Sequence, residues 1–132
     1  MKKKVFVFTF IISLILIGGV VFIIVLRTNY QNDKIIKTFT TNDYQYYIDN
    51  YSTERYLGKI KDYKDAKEKA ELMWLELYGL NIKNKKPFVV YYDSSYGIWL
   101  VSGSMPKNTV GGVPYILLRE ADGKVKAVWH DK

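Results

Sequence analysis

Residues 62–79 read DYKDAKEKAELMWLELYG, and their periodicity decides how the rest of the chain must be arranged. Tyr63, Ala66, Ala70, Met73, Trp74 and Leu77 recur at spacings of three and four, whereas Lys64, Lys67, Glu68 and Glu71 fall mostly on the opposite side. Residues so spaced share one face of a helix, so the stretch is amphipathic. Asp62 is placed to accept from the free N–H groups of the first turn, and Gly79 to take the left-handed conformation that ends a helix. The expectation is a helix of about 17 residues whose apolar face needs a partner.

That partner is expected to follow it. PFVVYYD (87–93) is rich in β-branched and aromatic residues, and DSSYG turns it into IWLVSGS (98–104). A longer loop, MPKNTVGG (105–112), leads to VPYILLRE (113–120), and ADG turns the chain into KVKAVWHD (124–131). Everything after Gly79 therefore reads as antiparallel sheet, and the class is α+β: one helix laid on one side of a curved four-stranded meander. Pro114 is acceptable only where its missing N–H is not needed.

The other end of the chain is of a different kind. Val5 to Leu26 is a run of 22 residues without a charge, preceded by Lys2, Lys3 and Lys4. As a helix it would measure roughly 33 Å, enough to cross a hydrocarbon core of about 30 Å once. Its length, and the lack of a small-residue cleavage pattern in IIVLRTNY, favour an uncleaved anchor over a secretory signal. The lysine cluster favours an inside N-terminus, which puts the remainder outside a cell membrane crossed once. The organisation expected is a basic N-terminus (1–4), a transmembrane anchor (5–26), a connector (27–61) and a helix-plus-sheet domain (62–132). The connector has no clean period of 2 or 3.6; one or two short elements with turns near Asn42 and Asn50 are expected there.

Chemistry is scarce. There is no cysteine, hence no disulfide and no thiolate. The one histidine, His130, sits at a strand end near the terminus, too isolated for a triad or a zinc site. Asp93, Glu120 and Asp122 fall at hairpin ends, where carboxylates bond nearby backbone N–H groups. Gly111 and Gly112 fit a bulge or tight turn better than an anion nest. No enzyme activity, cofactor or metal is expected. Lys and Arg number 20 against 13 Asp and Glu; without the three leading lysines this is 17 against 13, a net of +4 spread along the sequence. That is no footprint for nucleic acid, though its sign would steer an acidic protein partner toward the chain.

Tyrosine is the unusual component. Of 12 in the chain, Tyr44, Tyr46, Tyr47, Tyr51 and Tyr56 fall within 13 residues. A tyrosine offers a rigid apolar ring and a polar tip, suited equally to packing and to a binding surface. Both readings stay open, and these five are the candidate partner surface.

The ordered set Tyr78-Gly79, Pro87-Phe88, Trp99 with Gly103, Pro106, Gly111-Gly112 and Asp122-Gly123-Lys124-Val125 resembles the bacterial immunity proteins assigned a nuclear transport factor 2-like fold. The resemblance spans roughly half of the chain and does not reach the residues before about 60. The apolar N-terminal run departs from it, since many immunity proteins are soluble. It implies a binding protein that neutralises a toxin of a polymorphic toxin system by direct contact, and it supplies no catalytic residues. The motif residues Gly79, Pro87, Trp99, Gly103, Pro106, Gly111, Gly112, Asp122 and Gly123 then serve as scaffold. A different class also fits the residues: an envelope module binding a small ligand or peptide, in the manner of peptidase inhibitors.

Overall fold

The structure, a computed structural model, describes residues 37–106 and 111–131. The basic N-terminus and the apolar run at 5–26 lie outside the described residues. Among those described, no helix is long and apolar enough to cross a membrane.

The elements run β1 (Lys37–Thr38), a 3₁₀ turn (Thr41–Tyr44), α1 (Gln45–Tyr51), α2 (Tyr63–Tyr78), a second 3₁₀ segment (Leu80–Lys85), β2 (Val89–Asp93), β3 (Ile98–Ser102), β4 (Pro114–Arg119) and β5 (Val125–His130). Together β1 to β5 make one sheet in chain order, antiparallel from β2 to β5. The expected meander is present, with a strand added: β1 pairs parallel to β2, Lys37 opposite Tyr91 and Thr38 opposite Tyr92. The sheet thus has five strands, and Leu80–Lys85, expected to lead straight into it, is a 3₁₀ segment with Ile82 buried. A register shift between Leu117 and Leu118 bends the β4–β5 pair. Pro114 opens β4, where its carbonyl accepts from Gly103 N at 2.9 Å.

Helix α2 forms as its periodicity requires. Asp62 accepts from Asp65 N, and Gly79 closes the helix at φ 77°. Ala66, Ala70, Met73 and Trp74 are buried against Val90, Trp99, Val101, Ile116, Leu118 and Val125 from one face of the sheet. Leu77, assigned to the same stripe, is instead 47% exposed. Its angle is right, but the last turn has reached the margin of the sheet, where Tyr78 meets the ring of His130 at the end of β5. A period reports which way a side chain points, not how far the partner surface extends.

Sequence periodicity accounts for one covered face; the structure covers two. Every residue of β3 is buried, because Ile98, Leu100, Leu117, Ala127 and Trp129 form a second core on the other face. Phe39, Tyr44, Tyr47 and Ile48, from the segment without a clear period, pack over it. Residues 53–60 then run along the β4–β5 hairpin: Val125 N donates to Arg55 O, Leu57 N to Gly123 O and Ile60 N to Glu120 O, each at 2.9 Å. Ile60 is fully buried beside α2.

The motif residues sit where turns and close approaches demand them. Trp99 is in the core, Asp122 caps the β4–β5 turn by accepting from Lys124 N at 3.0 Å, and the Lys86–Pro87 peptide is cis. Gly112 lies against the backbone of Asp131, with no room for a Cβ. Gly123 has φ 68°, and a Cβ there would strike the backbone of Gly58. Gly97 has a similar φ of 62° but open space around it. Gly97→Ala therefore costs only the conformational term, about 1 to 2 kcal/mol. Gly123→Ala adds a collision and lowers the melting temperature further, by about 4 °C or more beyond Gly97→Ala in calorimetry of the two variants.

Candidate functional site

Helix α1 is seven residues long, has no side-chain cap at its start and buries none of its residues completely. Such a helix has no stability of its own. It is held by an aromatic stack: Tyr47 lies 4.2 Å from Trp129 at 18°, and Tyr115 lies on Trp129 at 5.2 Å and 5°. Tyr44 joins at 6.0 Å from Trp129 and meets Phe39 edge-on at 5.6 Å.

A single carboxylate fastens the start of this layer to the sheet. Asp93, at the end of β2 and 6% exposed, accepts from Thr41 N at 2.8 Å and from Thr41 Oγ1 at 2.7 Å, across 52 residues of chain. Its other oxygen accepts from Ser95 N at 3.0 Å, the turn bond expected of it. These bonds hold the Asp93 carboxyl below the usual carboxylate range, the Thr41 hydroxyl contributing most.

Between this layer and the sheet lies an open cleft of about 860 Å³. Phe39, Tyr44 and Tyr47 form one wall; Tyr91, Leu100, Ser102 and Tyr115 form the floor; among the described residues of the lining, Asp43 alone is charged. Burial pushes the Tyr115 phenol up to about 12, helped by its hydrogen bond to Asp131 and that residue's charge. Tyr44 is raised as well, first by burial and then by Tyr91, Tyr47 and Asp43. The phenols are therefore neutral donors and acceptors at ordinary pH.

The five candidate tyrosines separate. Tyr44 and Tyr47 face the sheet and the cleft. Tyr46 and Tyr51, 64% and 43% exposed, form the outer side of α1, with rings 6.5 Å apart. Tyr56 lies away from them, bridged to Lys124, whose ammonium stands 5.6 Å over its ring. Tyr91, Tyr115 and Trp129 were not among the candidates. They lie in strands where alternation marks them as packing residues, and only the fold shows that their face of the sheet is half open.

The hairpin-end carboxylates are each engaged, Asp93 as described above. Asp122 is paired with Arg119 at 2.6 Å, which with Lys124 N takes its carboxyl down to about 2. Glu120 accepts a hydrogen bond from the Tyr92 hydroxyl. His130 is exposed at the end of β5. Among the described residues, no His, Asp or Glu cluster could hold a metal ion.

The family model described as NTF2 fold immunity protein matches residues 66–132. No curated protein and no solved structure matches the chain. The matched span contains the floor of the cleft and most of α2, while the tyrosine wall precedes it.

Two outcomes follow from this geometry. Asp93→Ala removes the acceptor for Thr41, so amide hydrogens of residues 41–51 exchange about tenfold faster while those of β3 and β4 keep their rates. For Tyr115 the folded pKa lies above the ordinary value of 10, so its contribution is intact below pH 10 and lost as pH rises toward about 12. Stability measured by denaturant at a series of alkaline pH values falls across that window, and Tyr115→Phe flattens the fall.

Proposed function

The chain belongs to the NTF2 fold immunity protein family, and from that premise we propose that it neutralises a bacterial toxin by direct contact through the tyrosine layer of α1. Toxin neutralisation is the role the family suggests; the surface is our reading. The observation that carries it is the outer side of α1, where Tyr46 and Tyr51 stand in solvent beside an open aromatic cleft. Rigid aromatic side chains at the rim of a concavity are what protein interfaces use as anchors, and a standard interface needs about 800 Å² on each partner.

In the same proposal, residues 5–26 anchor the chain once in the cell membrane with the folded part outside, where it meets a toxin arriving at the cell surface. The length of that run and the lysines before it support this reading. Charge at the contact differs from what the whole-chain excess suggests. Residues 38–54 carry Asp43, Asp49 and Glu54 and no lysine or arginine, whereas residues 59–86, which build the layer on the opposite face, carry eight lysines against five carboxylates. An acidic partner suits the α2 side; the tyrosine face suits a basic one.

The cleft also supports a second reading, an envelope module that binds a small ligand or peptide without catalysis. Co-expression separates the two. The toxin gene sought is one encoded beside this chain. Its product kills cells alone and fails to kill them when the full chain is made in the same compartment. Tyr46→Ala with Tyr51→Ala, at exposed positions, weakens toxin binding about tenfold or more and restores killing, with the fold of the variant checked by its melting temperature. Killing that persists beside stably produced, unaltered chain overturns the immunity reading for that pair.

A further inference from the structure

We propose that the tyrosine cleft is a receptor for one arginine side chain of the toxin, taken up between the aromatic wall and floor with its guanidinium turned to Asp43. The inference rests on the immunity reading and names the chemistry of the contact. A guanidinium is planar and weakly hydrated, lies flat on aromatic rings and pairs with carboxylates. Tyr44, Tyr47, Tyr91 and Tyr115 line the cleft from two sides, and Asp43 is the one charged residue among the described residues of its lining.

Two further observations point to a cation. The chain's own Lys37 already places its ammonium 5.7 Å over the ring of Tyr91, so that face accepts positive charge. The segment forming the wall, from Thr38 to Glu54, is negative at each of its charged positions. The size of the cleft, about 860 Å³, exceeds that of one side chain, so the arginine enters with neighbouring residues of its loop. That favours a protein donor over a small free cation. Tyr46 and Tyr51, on the outer side of α1, would meet the residues around the inserted one.

The test uses the purified full chain with isotope-labelled tyrosine rings, observed by nuclear magnetic resonance. The probe is N-acetyl-arginine methylamide, compared with its neutral citrulline analogue and with tetramethylammonium. The arginine probe is expected to shift the rings of Tyr44, Tyr47, Tyr91 and Tyr115, with the citrulline analogue weaker by about fivefold or more. Asp43→Asn weakens the arginine probe about two- to fivefold, as expected for a partly solvated charge pair. Lys37→Gln, which frees the Tyr91 ring and removes a like charge, tightens it.

Equal binding of the citrulline analogue, shifts confined to other tyrosines, or no shift up to the solubility of the probe would each overturn the inference. Stronger binding of tetramethylammonium than of arginine would overturn the choice of a guanidinium. The protection assay keeps the two levels apart. If the chain protects cells but Asp43→Asn protects equally and the probe does not bind, the cleft inference fails and the immunity reading stands. If the unaltered chain gives no protection, the immunity reading fails, and with it the toxin as donor of the arginine.

Discussion

A strand with four apolar residues in a row cannot leave either side to water, and β3 is such a strand, from Ile98 to Val101. Ile98 and Leu100 point to one face of the sheet, Trp99 and Val101 to the other, and all four are buried. Two layers are therefore obligatory. Helix α2 supplies one with an ordinary apolar stripe. The other comes from Phe39, Tyr44, Tyr47 and Ile48, on a segment too short to fold by itself, so that layer depends on the sheet for its conformation.

The choice of tyrosine for the second layer has consequences. A leucine there would close the core; a phenol can bury its ring and keep its hydroxyl at a wet margin. The stack of Tyr47, Trp129 and Tyr115 fills one part of the interface, and the cleft remains beside it. Asp93 sets the position of the wall. A buried carboxylate is costly unless its oxygens are satisfied, and here the donors come from the β2–β3 turn and from Thr41 on the 3₁₀ turn before α1. One side chain thus couples hairpin geometry to the placement of the tyrosines.

The same division of layers separates charge. Most lysines of the folded part fall in the segment around α2, while residues 38–54 carry only carboxylates. Net charge averages over these faces and hides the difference. Wherever a surface acts by binding, the local sign at the contact governs encounter and fit, and the sign of the sum does not.

Much of this was legible in the chain. The spacing of Ala66, Ala70, Met73 and Trp74, the cap at Asp62 and the turn glycines follow from local rules, so α2 and the four antiparallel strands could be read directly. The ordered motif residues led to the family. The tyrosine window was visible as a composition, but its sorting into two wall residues, two exposed rings and the distant Tyr56 was not, because nothing in residues 37–61 carries a period. That segment takes its conformation from contacts far away in sequence: β1 on Tyr91 and Tyr92, Thr41 on Asp93, Tyr47 on Trp129. By itself, then, the sequence determined the elements whose side chains repeat with the backbone. Only the tertiary structure decided the second layer and the cleft, because both are made by pairings between residues about 50 or more apart, which no local pattern encodes.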